Sequence, residues 1–482
     1  MPTVLEDILE AARANDRPAE AAAIVEGLRA MLRLAGPEAG SLSPALADYL
    51  TAEIDGKISE QVNAILHHPD FTALESAWRG LGFLAGRLDF TQNIRLEYIN
   101  VSKDDLLRDF QDAPEVAKSG LYRHIYTAEF GQFGGAPVAA VIADYTFTPN
   151  PQDMQLLQYT ASVASMAHAP FFAAAGKEFF GLDQWRGLAD IRDLPGILEA
   201  PRYARWNSFR ESPNARYIGL TLPGFLLRPP YGEDGAPPAS SFNFTEETDH
   251  EDALCWGNTA FALAAGLGDS FAKYRWCVNI IGPDGGGRIG NLTYSSHQAM
   301  RGIQDKIPTR VIITERREFE LAALGFISLA IGKAPHEAVF YSASSALKPK
   351  SFPKTAEYAP AEISFRLSTQ FPYMMLMNRL AHYVKVLQRE NMGTWREKGE
   401  LARELNKWIS QYVTAMDTPD ALTRSRRPLR MANIEVREID NEAGWYAVTM
   451  LAQPHYKYMG VNFALSLEGR LERPAPGEQG RA

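Results

Sequence analysis

The sequence predicts a mixed α/β fold in more than one domain, and three observations predict it. Its 482 residues exceed what a single hydrophobic core normally organises. Between Ile94 and Tyr341, short apolar runs alternate with stretches of helical period, the pattern of a mixed sheet with helices on its faces. From about residue 368, a helical pair gives way to three segments of strand character. The expected divisions are a helical segment at 1–60, a central α/β domain at 61–360, and helices plus strands at 361–482.

Taken in order, the first element begins with Asp16 as N-cap and Pro18 in the first turn. It carries Ile24, Val25, Leu28, Met31 and Leu32 on one face and ends at Gly36 and Pro37. AGPEAGSLSP then reads as a hinge, and a short amphipathic helix on a hinge needs a partner surface. A second helix from Ser43 and Pro44 has Leu46, Leu50, Ile54, Ile58, Val62 and Ile65 along one stripe. The third, opened by Pro69 and Asp70, places Phe71, Leu74, Trp78, Leu81 and Ala85 on a seam expected to face a core. Glu75 precedes Arg79 by four residues and is expected on the exposed side, while Gly80 and Gly82 allow another backbone to approach.

In the central region, Ile94–Val101 reads as a strand, and Ser102 with Asp105 as a capping box. Val138–Tyr145, a helix at 152–168 and then PFFAAAG make a strand, helix, strand unit. The stretch from Asp252 to Tyr274 is apolar almost all round and is expected to be a helix buried on every side, with Thr248 or Asp249 as its cap. Strands are expected at Cys277–Ile281, Val311–Thr314, Phe326–Ile331 and Ala338–Ser342, and YGEDGAPPASS as a surface excursion. The Pro-rich Ser345–Glu362 reads as a separator, followed by helices at 368–391 and 394–416 and by ANIEVREI, GWYAVTMLA and VNFALSLEGRL as strands. A strand so near the end of the sequence can pair at home or add itself to a neighbour's sheet.

Composition excludes several function classes. A formal net charge of -9 argues against nucleic-acid binding, and two cysteines give no disulfide framework. Neither a signal peptide nor an apolar run long enough to span a bilayer is found, so a cytoplasmic protein with no direct membrane insertion is expected. GGGRIG satisfies the spelling of a dinucleotide loop, but Pro283 and Asp284 precede it and no helix follows, so it reads as a flexible surface turn. Asp249, His250, Glu251, Asp252 and Cys255 include metal-capable groups, yet adjacent helical residues point to different faces. His336 and Glu337 lack the second His of a zinc helix, and no GxSxG elbow or phosphate loop exists. No catalytic, cofactor or metal site is expected. Arg424, Arg426, Arg427 and Arg430 form the densest basic patch, read either as a solvated loop or as a dock for an acidic protein surface.

HHPDFTALESAWRGLGFL, SGLYRHIYTAEFGQFGGAPVAAVIADYTFTP, SFRESPNARYIGLTLPGFLLRPPYG, LCWGNTAFALAAGLGDSFAKYRWCVNIIGP, FPYMMLMNRLAHYVKVLQRE and RRPLRMANIEV together resemble the TssC/VipB family, the large contractile-sheath subunit of bacterial type VI secretion systems. The resemblance runs from about residue 43 to 470. It implies a contractile tail-sheath-like fold and a mechanical, non-catalytic role. Implied partners are a small sheath subunit (TssB/VipA), other copies of the chain, the Hcp inner tube, a baseplate and the AAA+ ATPase ClpV. The family's terminal strands complete sheets in adjacent subunits, and here Ile434, Val436, Val461, Phe463, Leu465 and Leu467 fall in the matching region. The N-terminal segment departs most from the family's wording; by position and amphipathicity, Ile24, Val25, Leu28, Met31 and Leu32 fit the helix its ATPase recognises. A phage-like injection sheath or an α/β enzyme are the alternative classes.

Overall fold

In a computed structural model of the chain, the structure describes residues 27, 44–130, 134–232, 244–248, 251–298, 304–334, 336–350, 359–390, 398–416, 418–438, 445–455 and 465–472. The chain divides into two units, Met1–Leu66 with Tyr231–Glu247, and His67–Pro230 with Thr248–Ala482. In the first, helix α1 (Pro44–Leu66) runs unbroken, and the Asn63 amide oxygen accepts from the Glu247 backbone N–H at 3.3 Å. Part of its expected stripe is exposed at Ile58 and Ile65, as is Tyr49.

The second unit is built on one sheet. Its strands are β1 (Val141–Phe147), β2 (Phe171–Ala175), β3 (Ile218–Leu222), β6 (Arg288–Ile289), β9 (Phe326–Ile331) and β10 (Ala338–Phe340), in the order β1-β2-β3-β9-β10-β6. Two short hairpin-like pairs accompany it, β4 (Phe225–Leu226) with β5 (Trp256–Gly257) and β7 (Ser295–Gln298) with β8 (Gln304–Ile307). The first four strands of the sheet are parallel, whereas β10 runs antiparallel to both β9 and β6. Parallel strands are covered on both faces, and the unbroken apolar runs of β2, β3 and β9 are correspondingly buried.

Helices surround this sheet in chain order: α2 (Pro69–Ala85), α3 (Lys103–Asp112), α4 (Pro151–Ala167), α5 (Ala204–Glu211), α6 (Thr259–Tyr274) and α7 (Glu315–Ala323). The Ser102 hydroxyl accepts from Asp105 N–H at 3.1 Å and opens α3 as its capping spacing requires. Asn150 does the same for α4 through Asp153 N–H at 2.7 Å. Helix α6 starts later than its sequence suggests. Its cap is Asn258, and residues 251–257 form a short turn and β5. It is buried all round from Thr259 to Leu267, but its last turns expose Asp269 and Lys273.

Three expected strands are not strands. Residues 94–100 belong to no strand, nor do Cys277–Ile281, where Cys277 and Val278 form a turn, nor Val311–Thr314. Val278, Ile280, Val311 and Ile313 are nonetheless buried at every second position. Alternation reports which side chains are buried; it does not report whether another backbone lies at pairing distance. Conversely the central strand β3, Ile-Gly-Leu-Thr-Leu, is buried at all five positions and carries no alternation of exposure, and the pattern reading passes over it. GGGRIG is a packed turn, with Gly287 N–H donating to Gly282 O at 2.9 Å and Phe340 N–H to Gly287 O at 2.9 Å. A Cβ on Gly286 or Gly287 would strike the carbonyl oxygen of Asn279 or Phe340. Ser345 to Leu347, expected in a separator, are buried instead, and Ala346 N–H donates to Ile218 O at 2.9 Å.

The C-terminal part adds α8 (Ala359–Ser368), α9 (Phe371–Glu390), α10 (Lys398–Ile409), α11 (Ala421–Arg426) and an antiparallel sheet of β11 (Leu429–Glu438), β12 (Trp445–Pro454) and β13 (Leu465–Glu472), ordered β11-β12-β13. Its core gathers Leu376, Leu380, Leu405, Ile409, Ile434, Val436, Val448 and Met450. Among the described residues, no helix is long and apolar enough to cross a membrane.

Candidate assembly surfaces

Helix α2 packs by the side that carries Glu75, Ser76, Gly80, Phe83 and Leu84. Ser76 Oγ donates to Trp256 O at 2.7 Å, and a Cβ on Gly80 would meet the Phe261 ring at 2.6 Å. Close approach to α6 is therefore possible only because Gly80 has no side chain. Nothing lies within 4 Å of a Cβ built on Gly82, so the approach is confined to one of the two glycines. Glu75 turns inward. Its Oε1 accepts from Arg79 Nε and Arg228 Nε, both at 2.7 Å, and its Oε2 from Arg228 Nη2 at 3.3 Å.

The Glu75 and Arg228 side chains are 10% and 7% exposed, so this pair is buried. Burial alone would raise the Glu75 carboxyl, but the hydrogen bonds from Arg228 and Arg79 outweigh it and hold the group below its usual range. The neighbouring Cys255 thiol, desolvated beside that carboxylate, is pushed up to about 12 and is inert as a nucleophile. With Glu75, Ser76, Gly80 and Leu84 inward, the expected seam points away. Leu74 is 57% and Trp78 63% exposed, with Phe71 exposed beside them. The seam is real as a stripe, but it does not face this chain's own core. Most of the large apolar side chains left exposed among the described residues fall between Tyr49 and Ile99.

The stretch after α2 has a second unfilled property. Among the described residues, no backbone hydrogen bond is made by residues 94–100, although both ends are pinned. On one side Arg275 donates to Gln92 O at 2.9 Å and to its side-chain oxygen at 2.6 Å; on the other, Tyr145 Oη donates to Val101 O at 2.7 Å. Leu96 and Ile99 are exposed and Tyr98 is 70% exposed.

The C-terminal sheet differs at its two edges. On β11, the Asn406 amide of α10 donates to Ile434 O at 2.7 Å and accepts from Ile434 N–H at 2.9 Å, while Thr414 N–H reaches Leu429 O at 2.9 Å. β13 pairs with β12 alone. Of the residues singled out in the sequence, Ile434 and Val436 are buried in the chain's own second core. The backbones of Leu465 and Leu467 pair with Ala452 and Met450. Val461, Phe463, Ile24, Val25, Leu28, Met31 and Leu32 lie outside the described residues. Arg424, Arg426 and Arg427 are exposed around the α11 turn.

A third feature, absent from the sequence reading, joins α9 to the sheet body. His382 Nε2 lies 2.9 Å from Ala167 O, and Lys385 Nζ donates to Met166 O at 3.0 Å, so two side chains of α9 cap the last carbonyls of α4. Burial holds His382 down to about 4 and Lys385 down to about 8, so His382 is neutral and donates from Nε2. The signal was available: His382, Lys385 and Arg389 share one face of a helix whose first two turns are apolar.

A cleft of about 260 Å³ opens at the carboxyl ends of the parallel strands. In its lining Asp252 accepts from Arg310 and lies 3.7 Å from Lys177 Nζ, while Asp144 accepts from Asn258 Nδ2 at 3.3 Å. No group of three or more metal-capable side chains occurs among the described residues.

Comparison with known proteins agrees with a surface-driven role. The family model for the EvpB/VC_A0108 tail sheath N-terminal domain (VipB) matches residues 48–347, and that for the EvpB/VC_A0108 tail sheath gpW/gp25-like domain (VipB_2) matches 360–471. The chain is 36% identical over 432 residues to the type VI secretion system sheath protein TssC1 of Pseudomonas aeruginosa, covering 88% of this chain and 85% of that protein. Among solved structures, a chain in the cryo-EM structure of the anti-feeding prophage baseplate is matched over 81% of this chain and 82% of its own length, at 10% identity and a TM-score of 0.33, too slight a likeness to argue from.

Proposed function

The chain belongs to the VipB tail-sheath family, and on that premise we propose that it is the large subunit of a type VI secretion contractile sheath in the bacterial cytoplasm. In this reading it binds the small sheath subunit TssB/VipA, polymerises with copies of that pair around the Hcp tube on a baseplate, and contracts to drive the tube outward. ClpV then dismantles the contracted form. The role is mechanical and uses no catalytic residue or cofactor.

The observation that carries the reading is the stripe Phe71, Leu74 and Trp78, an apolar seam that a folded unit leaves uncovered. A contractile sheath needs two packings of the same subunits, separated by a modest free energy per subunit and summed over many. Helices at 1–60 would serve small-subunit packing, 61–360 the sheath body and 361–482 the connections between subunits. Val461, Phe463, Leu465 and Leu467 are proposed as a connecting strand working beside Ile434 and Val436. Ile24, Val25, Leu28, Met31 and Leu32 are proposed as the ATPase's handle.

Coexpression with the small subunit, followed by negative-stain electron microscopy, tests this directly. Tubes are the expected outcome, and their absence with a chain that stays monomeric would reject it. Deleting Val461–Ala482 should leave the pair soluble but without tubes. Replacing Ile24 and Leu28 by Asp should remove ClpV from pulldowns while leaving tubes intact.

A further inference from the structure

The last turns of α9 meet the sheet body through a row of basic side chains, His382, Lys385 and Arg389, set on one face by their spacing. Each reaches a backbone carbonyl near a helix end. His382 and Lys385 take those of Ala167 and Met166, and Arg389 Nη1 donates to Glu129 O at 3.1 Å. Glu129 belongs to the helical stretch 120–130, which contains a π-helical turn at Arg123–Thr127 and stacks Tyr122, Tyr126 and Phe130 in a ladder. Lys385 Nζ lies 4.8 Å from the Tyr126 ring centre and 5.2 Å from that of Phe130, whose ring is 5.7 Å from that of His382.

His168 completes the joint. It ends α4 in the left-handed region at φ 52°, its Nδ1 lies 3.2 Å from Tyr217 Oη, and its ring is 6.3 Å from that of His382. Among the described residues, the charged groups acting on these two rings are Lys385, Arg379 and the opposite imidazole, all of one sign. Tyr122, Tyr126 and Tyr217 stay neutral because burial pushes each hydroxyl up, and the Glu129 carboxylate is engaged by Ala136 N–H at 2.6 Å. A further positive charge on either imidazole is therefore both desolvated and repelled.

We infer that this joint is an acid-operated latch: taking up protons on His382 and His168 undocks the last turns of α9 from α4 and from 120–130 while the parallel sheet stays folded. It goes beyond the proposed sheath role and does not depend on it. The open joint binds the protons, so closure is favoured at neutral pH and is lost as pH falls below 6.5 toward about 4. Lys385, held down to about 8, is already charged at neutral pH and does not change state in that window. The opening is local because α9 is anchored at its other end, where Phe371, Met374 and Met375 sit in the core of the sheet body.

Hydrogen exchange of the full chain, read by mass spectrometry at about pH 7 and about pH 5 and corrected for the intrinsic rate, tests the latch. Opening at 120–130 and at the end of α9 should rise roughly twentyfold at the lower pH from His382 alone, with β3 unchanged. His382→Gln keeps a neutral donor for Ala167 O, and His168→Asn suits the left-handed position. Together they should remove most of the rise. The unaltered chain decides the matter even if that double variant fails to fold. Equal protection of 120–130 at the two pH values, or β3 exchanging in step with it, would overturn the inference. So would a folded double variant that keeps the full rise.

Discussion

Helices α2 and α6 lie against each other, and both carry enough apolar residues to be buried, yet only α6 is. Around α6 the sheet strands and Phe83, Leu84 and Leu88 fill every side of its first half. Helix α2 meets α6 only along one side, through Gly80, Phe83 and Leu84, is tied to β5 by Ser76 and to Arg228 by Glu75, and turns Phe71, Leu74 and Trp78 to solvent. The difference separates two kinds of hydrophobic pattern. One is satisfied within the fold, and the other is a demand the fold leaves open.

Substitutions on the two helices should separate those roles. Leu263, fully buried in α6, should cost about 3 kcal/mol as Leu263→Ala in chemical denaturation, from lost transfer energy plus a cavity. Glu75→Leu should cost about as much, ~3 kcal/mol, because it strands Arg228 without its carboxylate. If Glu75→Leu were neutral, the inward face of α2 would not be what holds it. Asn406→Ala, which bares Ile434 on β11, should cost about 1 kcal/mol and raise light scattering on storage. The smallest stability change, within about 0.5 kcal/mol, is expected for Leu74→Ser with Trp78→Ser, and it should come with loss of sheath assembly. A large fall in melting temperature from that pair would place the stripe inside the fold after all.

Acid offers a further discrimination, centred on the α9–α4 joint. His382 titrates near 6.5 when unfolded and about 4 when folded, so the unfolded state binds more protons between those values. Stability contributed there is complete above pH 6.5 and is lost as pH falls through that window. His168, Lys385 and Arg379 face the same ring, and their positive or buried character adds to the cost of charging it. His382→Gln should flatten the pH dependence of the melting temperature between about 6.5 and 4, whereas the Trp78 variant should not change it.

Much of the sheet was legible because its chemistry is local. β1, β2, α4 and β9 fall within a few residues of the strand at Val138–Tyr145, PFFAAAG, the helix at 152–168 and the strand at Phe326–Ile331 that the sequence predicts. The stripe on α2 was equally legible, but its direction was not. A helical seam states that something apolar will cover it and is silent on whose chain supplies the cover. For the same reason residues 94–100 carry the pattern of a strand and make no ladder among the described residues. Asn406 was invisible because a lone Asn in a helix gains its meaning only from a strand 28 residues further on.

That asparagine sets a limit of its own. Its amide imitates a peptide unit and occupies the β11 border at Ile434 as a neighbouring strand would. A ribbon that lengthens by sideways addition of strands requires two vacant borders on every unit, and among the described residues β11 has its border occupied at Ile434 and Leu429 while β13 pairs with β12 alone. The C-terminal sheet can act as a link but not as a template for runaway cross-β growth.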